Sequence, residues 1–293
     1  CGEHNQEGEG FMKKNIWSGA SILILAFLFL SSAHSQFPAV ELEIIRVNDD
    51  MYVIHNEFVP GNVTALITDE GVLLVDAKFE ANYERMMELL GTVTDQPVRY
   101  VINTHYHSDH SGGNALFKMI GAEIVASEQA RYRMVDDNLP GLPNFTLEEY
   151  ARIHIGGKVV EMYYFGAAHT DGDVVVYFPE YRTLAAGDMF TYGDATPQLI
   201  DYRGGGNATA WTKTLDGVLQ LGFETVIPGH GEITTKVEMQ NFRESTVRLR
   251  TRVREMSRQG SSREEIAAML RDEYHWQDLM MDMGLDGILA EMR

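Results

Sequence analysis

Residues 105–110 read His105-Tyr106-His107-Ser108-Asp109-His110, and they lie two residues beyond the apolar run Val98 to Ile102. A short run of that kind reads as a buried strand. Three imidazoles and a carboxylate crowded past a strand end are hard to explain by folding alone. Histidine nitrogen and aspartate oxygen are donors that a borderline divalent ion such as zinc accepts. Side chains alternate along an extended backbone, so His105 and His107 project to one side. Asp109 and His110, read as lying on a tight turn, reach towards a second ion. The bland alternative is a histidine-rich polar loop, and it is weakened by donors placed further along the chain.

Those donors sit in three later segments. Phe165-Gly166-Ala167-Ala168-His169 places a histidine after a strand, Leu184-Ala185-Ala186-Gly187-Asp188 places a carboxylate after another, and Val226-Ile227-Pro228-Gly229-His230-Gly231 a second histidine. Each lies beside glycine or small residues, which let the backbone turn sharply and approach an ion closely. A rigid sheet then aims several loops at one point. Singly, His-Gly and Gly-Asp pairs are common; with the six-residue cluster they become specific.

The rest of the chain supplies a matching scaffold. Leu42 to Val47, Met51 to His55, Val63 to Thr68 and Val72 to Val75 read as strands, with Asn48-Asp49-Asp50 and Asp69-Glu70-Gly71 as hairpin turns. Helices are expected over Asn82 to Gly91, Gly113 to Ile120, Glu128 to Val135 and Ala210 to Gln220, and strands over Glu123 to Ala126, Val159 to Phe165, Val174 to Phe178, Thr183 to Ala186 and Thr225 to Ile227. Val237 to Arg258 is a long amphipathic helix, and Ser262-Arg263-Glu264-Glu265 is a capping box that opens another. Strands mixed with helices in two halves indicate an α/β sandwich.

His105-x-His107-x-Asp109-His110 followed by His169, Asp188 and His230 resembles the metallo-β-lactamase superfamily of hydrolases, in the same order and over about Val40 to Gly231. The resemblance implies an αββα four-layer sandwich, spanning residues 36–235, with a helical C-terminal extension over 236–293. It implies two Zn2+ ions per chain, with iron or manganese as alternatives. His105, His107 and His169 resemble the ligands of the first metal, and Asp109, His110 and His230 those of the second. Asp188 resembles the carboxylate that bridges them, and Asp109 is also the expected catalytic residue, orienting the attacking hydroxide. Class B1 and B2 lactamases use cysteine where this chain has Asp188, and B3 enzymes generally lack a bridging carboxylate there. The full set is closer to glyoxalase II-like thioesterases and lactonases. The resemblance therefore implies a small-molecule lactone, thioester, ester or amide as substrate. A β-lactamase and a mononuclear iron oxygenase or non-hydrolytic metal-binding protein are the alternatives.

The remaining features bound the setting. Lys13 and Lys14 follow Met12, Ile22 to Leu30 is apolar, and Ser31-Ser32-Ala33-His34-Ser35 offers small residues for cleavage. The expectation is a signal peptide over 12–35, an upstream non-structural segment over 1–11, and a periplasmic or secreted product without a membrane anchor after cleavage. The apolar block is shorter than the roughly 20 residues a spanning helix needs. Cys1 is the sole cysteine, so a metal site must be built from histidine and carboxylate. A net charge of -19 and no basic stripe argue against nucleic acid as a partner.

Asp76, at the end of an expected strand, is a candidate acceptor for a ligand histidine, and Asp173 either does the same or holds its own turn. Thr104 and Ser108 read as turn residues and Tyr192 as a loop aromatic. His55, His154 and His275 read as surface or packing residues, Met280 to Met283 as part of a terminal helix, Trp211 and Trp276 as core or groove aromatics, and Gly204-Gly205-Gly206 as a mobile loop near the site.

Overall fold

Apolar runs such as Gly71–Val75, buried at every position, arise where a strand is covered on both faces, so that alternation along the chain has no solvent side to record. The computed structural model describes Gly2 and residues 40–57, 59–193 and 198–293. The chain divides into two units, Cys1–Ala39 and Val40–Arg293, and all the described residues but Gly2 belong to the second. The expected leader therefore lies outside the described residues.

The first sheet has seven strands in sequence order: β1 Glu43–Arg46, β2 Met51–His55, β3 Val63–Thr68, β4 Gly71–Val75, β5 Val98–Ile102, β6 Glu123–Ser127 and β7 Phe145–Leu147. β1 to β4 pair antiparallel and β4 to β7 parallel. The second sheet holds β8 Tyr150–Ile155, β9 Lys158–Tyr163, β10 Val175–Phe178, β11 Thr183–Ala185, β12 Thr225–Ile227 and β13 Thr234–Thr235, in reverse order from β13 to β8. β11 and β12 are its parallel pair. The helices are α1 Tyr83–Gly91, α2 Ser108–Ser111, α3 Asn114–Met119, α4 Glu128–Asp136, α5 Ala208–Val218, α6 Lys236–Arg258, α7 Arg263–Tyr274 and α8 Asp278–Glu291. Among the described residues, no helix is long and apolar enough to cross a membrane.

Three apolar clusters define four layers. Leu73 and Val75 of β4 join Met51, Ile102, Val160, Val176 and Ile227 between the sheets. Val72 and Leu74, pointing the other way, join Met86, Leu89 and Phe117 under α1 and α3. On the far side, Val175, Leu184 and Val226 meet Trp211, Leu249, Ile266, Leu270, Trp276 and Ile288 from α5 to α8. This is the expected αββα arrangement, and the C-terminal helices complete its fourth layer. Trp211 is 1% exposed and its indole N–H donates to the Met189 carbonyl at 2.9 Å. Trp211→Ala is expected to cost about 3–5 kcal/mol of folding stability, readable as a lower denaturation midpoint.

Three strands escaped the pattern reading: β7, β8 and the two-residue β13. β7 is three residues long with only Leu147 buried, and β8 shows a faint exposed–intermediate alternation ending on buried Ile155. All three are edge strands, where one neighbour is missing and the hydrophobic signal thins. Asp109 and His110 lie in α2 rather than on a tight turn. The helix starts at Ser108 because the preceding His107 is still extended, at φ -59° and ψ 144°.

Candidate metal centre

β5, β9, β11 and β12 each lead at their C-terminal end into a donor-bearing segment, and these four segments converge. Backbone bonds lock these segments together. Ala77 N–H donates to the His110 carbonyl at 2.7 Å, Val174 N–H to Thr104 at 2.8 Å and Asn62 N–H to Gly229 at 2.7 Å. All seven sequence-predicted residues come together there in two groups that could hold a metal ion. His105, His107, His169 and Asp188 form one and Asp109, His110 and His230 the other, with donor atoms in each within 4.8 Å of one another.

Where they converge, His107 Nδ1 is 3.0 Å from His169 Nε2, and His169 Nε2 is 3.7 Å from Asp188 Oδ2. Asp188 Oδ1 faces the other way, 3.2 Å from His110 Nε2 and 3.3 Å from His230 Nε2. Asp109 Oδ2 lies 3.4 Å and 3.3 Å from the same two nitrogens. Asp188 thus borders both groups, as a bridging carboxylate must. Close approach demands glycine beside it: a Cβ on Gly229 would fall 2.1 Å from Asp188 Oδ1, and one on Gly61 2.2 Å from His110 Cε1.

The outward nitrogens of four histidines are already engaged. His110 Nδ1–H donates to Asp76 at 2.8 Å. His105 Nδ1–H donates to Thr104 Oγ1 at 3.1 Å, and that hydroxyl donates on to Asp76 at 2.9 Å. His107 Nε2–H donates to Asp201 at 3.0 Å, and His169 Nδ1–H to the Leu199 carbonyl at 2.7 Å. Each such bond orients the ring so that its inward nitrogen, once unprotonated, offers a lone pair to the group. His105 Nε2 is buried yet makes no hydrogen bond. Buried polar atoms ordinarily find a partner, so this orphaned nitrogen, grouped with His107, His169 and Asp188, fits a nitrogen- and oxygen-liganded ion such as zinc.

Electrostatics divide the two groups. Burial pushes the His105 imidazole well below its usual range, and burial with the neighbouring His107 takes His169 down to about 4. Both stay neutral, the form that ligates. Burial also opposes charge on His110 and His230, but the surrounding carboxylates outweigh it, holding His110 well above its usual range and His230 near 10. Reciprocally, burial would raise Asp109 and Asp188, yet the His110 and His230 charges keep both well below the carboxylate range. In the free protein these protons occupy the second group, and an incoming cation displaces them.

Asp76 does what the sequence suggested, accepting from Thr104 N–H at 2.8 Å as well as from His110. Through Thr104 and His110 it orients one ligand of each group. Asp76→Ala is expected to weaken metal binding about 10–100-fold, measurable by competition with a chromophoric chelator. Asp173 instead holds its own turn, accepting from Thr170 N–H at 2.9 Å. Tyr192 packs its ring against the helical side of the second sheet, while its N–H donates to the His230 carbonyl at 3.0 Å. His154 and His275 are exposed. His55 is buried and bonds Asn62 Oδ1 at 2.9 Å, and Asn62 Nδ2–H donates to the Pro228 and Gly231 carbonyls on either side of His230.

Gly204 to Gly206 are not a free loop. Gly204 N–H donates to Asp201 Oδ1 at 2.9 Å, Gly206 N–H to the Asp201 carbonyl at 2.7 Å, and Asp171 N–H to the Gly204 carbonyl at 2.9 Å. A Cβ at Gly204 would reach Asp201 Oδ2 at 2.2 Å.

The positioning residues that pattern reading missed are Asp201, Tyr106, Asn62 and Lys78. Asp201 is 94 positions from the His107 it holds, and Tyr106 donates to it at 2.5 Å. Lys78 is fully buried, and its amine donates to Asn56 at 2.5 Å and to the Gly61 carbonyl at 2.7 Å. Burial draws that amine down to about 7 against the pull of Asp109 and Asp76. Spacing along the chain carries no signal for any of them.

A family model described as "Metallo-beta-lactamase superfamily" matches residues 56–230. A curated relative, "Metallo-beta-lactamase type 2" from Elizabethkingia meningoseptica, is 25% identical over 237 residues, covering 78% of this chain and 93% of its own. Another of the same description, from Bacillus cereus, is 27% identical over 196 residues, covering 64% and 74%. A solved metallo-beta-lactamase from Pontibacter korlensis superposes with a TM-score of 0.62 at 22% identity, over 70% of this chain and 99% of that one, a likeness of fold.

Proposed function

Starting from a chain that belongs to the metallo-beta-lactamase superfamily of metal-dependent hydrolases, we propose that it is an exported hydrolase holding two zinc ions and cleaving a small carbonyl substrate, a lactone, thioester, ester or amide. One observation carries this reading: seven histidine and aspartate side chains from four separate segments form two adjoining donor groups with Asp188 between them.

Bound at these donors, zinc supplies Lewis acidity, polarising a carbonyl and lowering the pKa of water from about 15.7 towards neutrality. The chain's own residues do the rest. His107 and Asp109 have side chains 19% exposed, against 8% or less for His110, His169, Asp188 and His230. Substrate therefore approaches over His107 and Asp109. Asp109 is kept anionic by His110 and His230, and its Oδ2 accepts a hydrogen bond from the attacking water, aiming it at the carbonyl carbon. The bond from His107 to Asp201 holds that imidazole against displacement as substrate enters.

The relatives' printed names favour a second reading, hydrolysis of the amide of a β-lactam ring. Against it stands the donor set, with Asp188 at the position resembling the cysteine of B1 and B2 lactamases. Export rests on the basic, apolar and small-residue pattern of residues 12–35. A panel of lactones, thioesters, esters and nitrocefin, assayed on protein of measured metal content, tests both. Chelator-sensitive turnover of a lactone or thioester with two zincs per chain supports the first reading, and preferential turnover of nitrocefin the second. One iron per chain and no hydrolysis rejects both in favour of oxidation.

A further inference from the structure

The first donor group is oriented largely by one short segment. The Leu199 carbonyl accepts from His169 Nδ1–H at 2.7 Å. Asp201 accepts from His107 Nε2–H at 3.0 Å, and its own N–H donates to the His169 carbonyl at 2.9 Å. Residues 199–201 thus hold two of the three histidines that could share an ion with Asp188.

That segment is itself held by the last turn of the C-terminal helix. Tyr202, next to Asp201, donates its hydroxyl to Glu291 Oε2 at 2.6 Å. Its ring lies so close to α8 that a Cβ on Gly287 would fall 2.2 Å from it. The same Glu291 carboxylate accepts from Ala208 N–H at 3.0 Å and Thr209 N–H at 2.7 Å. These are the first N–H groups of α5, where Asn207 already accepts from Ala210 N–H at 2.6 Å. Free N–H groups and the positive end of the helix dipole make that terminus favourable for a carboxylate. Glu291 therefore joins α8 to both ends of the 202–208 connection. It fixes Tyr202 at one end and caps α5 at the other, while the glycines between fold back onto Asp201.

We propose that Glu291 is a positioning residue for the first metal. It latches the C-terminal helix onto the segment that aims His107 and His169, and through them it sets the affinity of the His105–His107–His169–Asp188 group. The proposal rests on the reading that this group holds an ion. The second group lies outside the latch, because His110 is oriented by Asp76 and the His230 turn by Asn62.

Zinc binding to the apo protein, measured by chelator competition and resolved into two stepwise constants, tests it. Glu291→Ala is expected to weaken one constant about 10-fold and to leave the other within about 2-fold. Glu291→Gln, which keeps an acceptor oxygen for the α5 N–H groups, is expected to recover most of the loss. Ile288→Val is the control, trimming a buried side chain of the same helix without touching the latch. Equal losses in Ile288→Val and Glu291→Ala, parallel loss of both constants, or an unchanged Glu291→Ala overturns the proposal. If Glu291→Ala does not fold, Tyr202→Phe carries the test, since it removes one hydroxyl and keeps the ring against Gly287. Failure of the wild-type chain to bind zinc overturns the metal reading itself, an outcome distinct from failure of the latch.

Discussion

On the proposed two-zinc reading, Asp109→Asn is expected to lower turnover by about 10²- to 10⁴-fold, the range for loss of a positioned proton acceptor, without loss of bound zinc. The substitution preserves shape and leaves one carbonyl oxygen to face His110 and His230, so the fold and the donor count are conserved. The negative charge is lost. Asp109 Oδ2 lies between His110 Nε2 at 3.4 Å and His230 Nε2 at 3.3 Å, and its side chain is among the most exposed of the donors, where a water and a substrate carbonyl can meet. An amide in that place accepts more weakly from the water and presents an N–H in one of its two orientations. The measurement is kcat on protein matched to wild type for zinc content. Undiminished turnover at two zincs per chain would remove Asp109 from the mechanism and leave it as a ligand alone.

Asp188→Ala acts on the ions before it acts on the reaction. One carboxylate serves both groups, with Oδ1 3.2 Å from His110 Nε2 and Oδ2 3.7 Å from His169 Nε2. Its loss removes the negative charge that the two donor groups share, which lies 3.2–3.7 Å from their histidine nitrogens and so at the short range where Coulomb energies are largest. The expected effect is a fall from two zincs per chain to one or none, with a loss of affinity larger than the 10–100-fold that removal of an outer hydrogen-bond partner causes. Elemental analysis after gel filtration reads the stoichiometry. Two tightly held ions in Asp188→Ala would count against a bridging role.

Legibility tracked distance along the chain. The cluster from His105 to His110 is visible because six consecutive residues carry four donors, and the three later donors because each follows an apolar run beside glycine. Nothing of that kind marks Asp201, whose carboxylate holds His107 only because the 199–208 segment folds back over β5's extension. Glu291 reads as one more acid on a terminal helix until the fold brings it to the start of α5. Edge strands β7 and β8 were illegible for the opposite reason. They have one neighbour and little burial, so their apolar periodicity is short, whereas the doubly covered β4 stands out.

The amino-acid sequence by itself determined the family, the αββα class and the seven candidate donors, because local donor density and buried apolar runs are properties of neighbouring residues. Tertiary structure alone decided how those donors are aimed. Asp76, Asn62, Asp201 and Glu291 act across separations of up to about 170 residues, and a hydrogen bond that joins two loops exists only once both sheets have set those loops at the same rim. The same physics decided that Gly204 to Gly206 form a pinned turn and not a mobile loop, since their backbone is spent on Asp201 and Asp171.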